Sequence, residues 1–218
     1  MSEGQAEWDR TQIMKRRLAE QISRGPDGRG YYQGRPVIHS DTRVLGGVYL
    51  GAFTREAIVV DEKYGELNRL YEEAKKRVMD SAGKVNKGKI LKSVFEVVKE
   101  TMKPSEADEA KVNEIIEKLG VSGDRKIALD VFIKKGVGVC RHRALACAAL
   151  LELFKRDGHI RGISSVDRNS TELGSHAWCR YTNSKGEVFI LDPTLGFLGS
   201  LNEAESRGIW QYKRPEDY

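Results

Sequence analysis

Residues 144–151 form the longest unbroken apolar run in the chain, eight positions inside a segment, 140–154, that reads as one helix ending at Asp157-Gly158. A helix this apolar around its circumference has no face to give to water and belongs in the interior of a fold. Eight residues are far fewer than the roughly 20 needed to cross a bilayer, so the run is a core element and no segment spans a membrane. Three strand-like pieces follow it, at 160–166, 176–182 and 188–192. One buried helix followed by an antiparallel meander is an α+β arrangement.

The preceding segments are of a different texture. Residues 6–22 place Ile13, Met14, Leu18 and Ile22 at helical spacing, and Gly25-Pro26-Asp27-Gly28 stops that pattern. A glycine-rich stretch follows, with short strands expected at 36–38, 44–50 and 57–60. Residues 62–81 carry a stripe of Leu67, Leu70, Tyr71, Ala74 and Val78, and 89–102 carry Ile90, Val94, Val97 and Val98. Ser105 and Asp108 resemble a capping box opening a helix with Val112, Ile115, Ile116 and Leu119, closed by Gly120. Residues 127–133 read as a short apolar helix with Asp130 on its polar side. The chain thus divides into a mainly helical flank, 1–120, with a possible β segment at 28–60; a chemical core, 121–203; and a tail, 204–218.

Composition sets limits on function. The net charge of +5 comes from 37 basic and 32 acidic residues mixed along the chain, which does not identify a nucleic-acid binder. Lys15-Arg16-Arg17 reads as a solvated helix face. At 39 % apolar the chain is too well supplied with Val, Ile and Leu to be disordered throughout. Three cysteines imply no disulfide framework and a reducing compartment. The start, Met-Ser-Glu-Gly-Gln-Ala-Glu-Trp-Asp, has neither the basic nor the apolar part of a signal peptide. A cytoplasmic location is the expectation, and export by an unconventional route fits equally.

Cys140 opens the apolar helix just after Gly136 and Gly138, which permit a tight, close-approaching turn. Unpaired N–H groups and the helix dipole favour a thiolate at such a position. A small apolar core residue is the competing reading. Cys147 lies two turns further along, among Ala144, Ala148 and Leu151, and reads as core. In Ser175-His176-Ala177-Trp178, alternation puts His176, Trp178 and Arg180 on one face. A three-residue loop at 183–185 would set His176 directly opposite Asp192, while a one-residue change of register would part them. Cys140 would then be the nucleophile, His176 the proton carrier and Asp192 the group that orients the imidazole. The N–H of Cys140 is a natural oxyanion donor.

Four pieces in order carry a family resemblance: Gly138-Val139-Cys140-Arg141-His142-Arg143-Ala144, Gly158-His159-Ile160-Arg161-Gly162, Ser175-His176-Ala177-Trp178 and Leu191-Asp192-Pro193-Thr194. Together they resemble the core of the transglutaminase-like superfamily, a branch of the papain-like cysteine enzymes. The resemblance covers roughly residues 125–200. It implies a nucleophile helix packed on an antiparallel sheet and a catalytic triad of Cys140, His176 and Asp192. It also implies acyl transfer from an amide of a protein or peptide through a thioester: proteolysis, glutamine deamidation or cross-linking to an amine. Two departures stand out. The turn after the helix reads Gly-His-Ile-Arg-Gly where the family has a more apolar, proline-containing stretch, and residues 1–120 match no member. No acidic loop suits the calcium of animal transglutaminases, so no cofactor is assigned.

Other residues compete for roles. Trp178 and Gly138 are candidates for contact with substrate; a packed aromatic on a half-buried strand is the alternative for Trp178. His142, about 200° around the helix from Cys140, is expected to be polar or partly exposed. His159 suits a helix C-terminal cap, and His39 has no evident partner. A zinc site from Cys140, His142, His176 and Cys179 is disfavoured, because each pair projects from opposite sides of its element. A non-catalytic interaction module on the same fold, binding a partner through the charged helices, is the third reading. Oligomeric state is not legible.

Overall fold

The computed structural model describes residues 7–8, 22–40, 42–51, 56–120 and 126–218. The fold is α+β. Residues Glu7–Trp8 (β1) pair with a strand far along the chain, while Ser23–Arg24 (β2), Gly30–Tyr32 (β3) and Arg35–Pro36 (β4) form a small antiparallel sheet. Val48–Leu50 (β5) and Ala57–Val59 (β6) pair antiparallel. Three helices follow: α1 (Glu66–Val78), α2 (Ile90–Thr101) and α3 (Asp108–Lys118). Lys126–Ala128 (β7) then joins β6 in parallel and runs straight into α4 (Leu129–Lys135). The central helix α5 (Cys140–Arg156) precedes β8 (Gly162–Thr171), β9 (Gly174–Asn183), β10 (Val188–Asp192) and β11 (Phe197–Ser200). A short helix, α6 (Leu201–Arg207), leads into the C-terminal segment.

The large sheet has the order β1-β8-β9-β10-β11 and is antiparallel throughout. Every side chain from Ala144 to Leu151 is buried, as an all-round apolar helix requires. They meet Leu67 and Leu70 of α1, Val94 and Val98 of α2, and Ala177, Cys179 and Leu191 of the sheet. The flank and the meander therefore share one apolar core. On the other face of the sheet, Trp178, Ile190, Phe197, Leu201 and Tyr212 form a second cluster roofed by α6 and the C-terminal segment. No helix among the described residues is long and apolar enough to cross a membrane.

The helical stripes fall where their periodicity puts them: Leu67, Leu70, Tyr71, Ala74 and Val78 are the buried residues of α1. Several other elements differ from expectation. Residues 127–133 are not one helix, because Ile127 is recruited into the parallel pair with β6 and only Leu129 onward coils. Asp130 is buried rather than solvated; its carboxylate accepts from the N–H groups of Glu66 (2.6 Å) and Leu67 (3.3 Å) at the start of α1. The expected strand at 44–50 contracts to β5. Strands β1 and β11 lacked any local signal, and the helix expected over 6–22 lies almost wholly outside the described residues, Glu7–Trp8 being strand.

Candidate active site

The approach to α5 is set by two glycines. Gly136 ends α4 in the left-handed region (φ 64°). Gly138 passes so close to its neighbours that a Cβ there would meet His142 Cβ at 2.9 Å and Met102 Sδ at 3.0 Å. Val139, which has no capping oxygen, donates its N–H to His142 Nδ1 at 3.1 Å. Cys140 follows as the first residue of α5, partly exposed.

The Cys140 thiol lies within the influence of the His176 imidazole and of the Ala177 backbone N–H, both of which favour its anion. Burial pushes the thiol up, but the neighbouring His176 imidazole and the Arg141 guanidinium pull it below the ordinary thiol range. Burial raises the other two thiols with nothing to oppose it: Cys147 and Cys179 are fully buried in the core. Cys140 is the activated one of the three.

His176 Nε2 lies 2.5 Å from Asp192 Oδ2. That leaves Nδ1 as the ring nitrogen for the sulfur. Burial opposes the charged ring, but Asp192 and Cys140 more than offset it and lift the imidazole to about 9. Asp192 is itself fully buried and fully engaged. Its Oδ1 accepts from the N–H groups of Thr194 and Leu195 (both 3.1 Å), and its Oδ2 also accepts the Tyr212 hydroxyl at 2.8 Å.

The dyad meets by a different register from the one expected. Thr182 pairs with Val188 and Cys179 with Leu191, so Asp192 continues opposite Trp178, two residues from the predicted alignment. The loop is 184–186, closed by Asn183 and Glu187, whose N–H and C=O join at 3.0 Å. Asn183 belongs at the closing position because its Oδ1 accepts from Lys185 and Glu187 N–H (2.9 and 3.0 Å), with Gly186 left-handed at φ 82°. A shift of two keeps every side chain on its face, so His176 and Asp192 meet diagonally.

Neither residue expected to touch substrate offers surface. Trp178 is fully buried, stacked near the His176 ring at 6.0 Å and edge-on to Tyr212 at 5.1 Å. Gly138 is buried as well. The half-buried Trp210 is the aromatic ring that lies edge-on to His176, at 5.0 Å.

His142 is not exposed. It is completely buried, 4.1 Å from the Phe132 ring, and its Nε2 lies 3.0 Å from Glu56 Oε1. The same carboxylate takes Arg141 Nε and Nη2 at 2.9 and 3.0 Å. Burial raises Glu56, but His142 and Arg141 outweigh it and hold the carboxyl down at about 2. Burial and the charges of Arg141 and Arg143 lower His142 to about 4, so the ring is neutral at pH 7. Arg143 binds Met102 O (2.6 Å), the Asp108 carboxylate and Thr194 Oγ1 (3.3 Å), linking the helix to the loop after Asp192. The N–H of Ser105 donates to the same Asp108 carboxylate at 3.0 Å, one half of the expected capping box.

Glu56 and Tyr212 escaped the sequence reading. Glu56 abuts the apolar run 57–60, and a carboxylate at the edge of a buried strand needs a partner. Tyr212 alternates with Trp210 near the end of the chain, a pattern that fits a segment laid against an apolar surface. Among the described residues no three His, Cys, Asp or Glu side chains converge as a metal site. Compared with protein-family models, with curated proteins and with solved structures, the chain matches none.

Proposed function

We propose that this protein is a cysteine acyl-transfer enzyme with a papain-like, transglutaminase-like core, acting on an amide of a protein or peptide. The observation that carries the reading is the convergence of Cys140, His176 and Asp192, with Cys140 the thiol whose surroundings favour its anion. The thiolate would attack the amide carbonyl carbon. The N–H of Cys140, at the very start of α5, faces the developing oxyanion in this scheme. The His176 imidazolium then gives its proton to the departing nitrogen as the C–N bond breaks, leaving a thioester on Cys140. Water or an amine, losing a proton to His176, attacks the thioester, and the sulfur leaves as the thiolate. Asp192 holds the imidazole in place through both halves.

The test offers a glutamine-rich protein as acyl donor, alone and with a fluorescent primary amine, and measures ammonia, new peptide termini and incorporated amine. Ammonia alone marks deamidation, amine incorporation marks cross-linking, and new termini mark proteolysis. Cys140→Ala should abolish whichever product appears, and His176→Ala should do the same, while Asp192→Ala keeps partial activity. Full turnover by Cys140→Ala would overturn the mechanism.

A further inference from the structure

The C-terminal segment is built into the site. Tyr212 is fully buried, its ring edge-on to Trp178 at 5.1 Å and stacked with Phe197 at 6.0 Å. Asn169, which pairs with His176 across β8 and β9, accepts the Trp210 indole N–H at 2.7 Å and donates to Gln211 O at 2.7 Å. Beyond Tyr212, Arg214 engages the buried Asp167 through Nε at 2.7 Å and Nη2 at 2.5 Å. Arg180 engages Asp217 through two bonds of 2.7 and 2.6 Å. The segment is therefore fastened on both sides of Tyr212, and the hydroxyl is delivered to one acceptor, Asp192 Oδ2, the oxygen that also holds His176.

We propose that Tyr212 is a positioning residue of this site, its hydroxyl setting how tightly Asp192 grips the His176 ring. The inference rests on the acyl-transfer reading above. A donated hydrogen bond spreads the charge of the carboxylate, so less of it is available to the imidazolium. Burial and the Asp192 charge keep the Tyr212 hydroxyl protonated and thus a donor. The titratable groups facing the ring are Cys140 from α5, Asp192 from β10 and, through Asp192, Tyr212. Cys147 also lies within electrostatic reach of Asp192, and burial holds it as the neutral thiol. Without the hydroxyl, Asp192 holds the imidazolium more strongly, and the ring releases its proton less readily to a departing amine.

The test is Tyr212→Phe, which keeps the ring and removes only the donor. The rate of Cys140 alkylation by iodoacetamide is followed against pH, with the labelled residue identified by mass spectrometry. Wild type should show two steps: a lower one as Cys140 ionises beside the imidazolium, and an upper one as the imidazolium loses its proton. In Tyr212→Phe the upper step moves to higher pH. A nitrogen-15 titration of the His176 ring in both proteins reads the same shift independently of sulfur chemistry. Two steps in wild type with superimposable wild-type and variant curves would overturn the role of Tyr212 alone. A wild-type profile with one ordinary thiol step would overturn the ion pair beneath it, and the role of Tyr212 with it. If Tyr212→Phe unfolds, 3-fluorotyrosine placed at position 212, a stronger donor on the same ring, should move the upper step to lower pH; an unmoved step would overturn the proposal.

Discussion

At the scale of single residues, three thiols in one chain meet two outcomes because of where each sulfur sits. Cys147 and Cys179 are enclosed by apolar side chains, and their anions have nothing to stabilise them. Cys140 has an imidazolium, an N–H and a guanidinium nearby. Limited iodoacetamide near neutral pH should therefore label Cys140 and leave the other two unmodified in the folded protein. Equal labelling of all three, read by peptide mass spectrometry, would contradict the arrangement. Acyl-transfer activity should rise with pH through a point below the ordinary thiol range and decline again as His176 deprotonates, near pH 9. The core position of Cys147, the place of Cys140 at the helix start and the shared face of His176 and Asp192 were legible because helix and strand periods dictate them. His142 was misjudged on the same rule. Its angle about the helix was right, but what lies on that side, Phe132 and Glu56, comes from other parts of the chain.

At the scale of elements, the start of α5 depends on a residue 85 positions earlier, Glu56 just ahead of β6, which engages Arg141 and His142. Both titratable members make this junction sensitive to acid. His142 has a folded-state value of about 4 against an ordinary 6.5, so its share of stability is whole above 6.5 and is lost between 6.5 and 4. Glu56 stands at about 2 against an ordinary 4.5, so its share is whole above 4.5 and drains as pH falls toward 2. The two losses run in the same direction, and urea midpoints should fall steadily from about pH 6.5 downward. Glu56→Gln should flatten the part of that decline below 4.5. It should also cost about 3 kcal/mol at neutral pH, the order expected when one member of a buried ion pair is removed. An unchanged midpoint at neutral pH would show that the cluster carries no net stability. This junction was illegible in the sequence because ion pairs at such separations leave no local pattern. The hairpin was half legible: Gly186 marked a turn, but the closing position was decided by the side chain of Asn183.

At the scale of the whole molecule, the apolar surface of α5 is shared between the helices of the flank and the sheet. A fragment of residues 121–218 would expose the side of α5 that α1 and α2 now cover. It should lack a cooperative thermal transition by circular dichroism and show poorly dispersed amide signals, whereas the full chain should unfold in one step. A well-dispersed, cooperatively melting fragment would mean that the meander and α5 suffice.

The far end of α5 is also fastened. Glu152 receives the N–H groups of Val44 and Leu45 at 2.6 and 2.9 Å, while Arg141 is held by Glu56 at the near end. Both clamps come from the flank, Val44 and Leu45 at one end and Glu56 at the other. The helix is thereby a shaft seated in two bearings, unable to slide along its own axis without unseating both. The sulfur at its tip is held at one height along that axis, so under the acyl-transfer proposal an incoming carbonyl must conform to it rather than draw it closer.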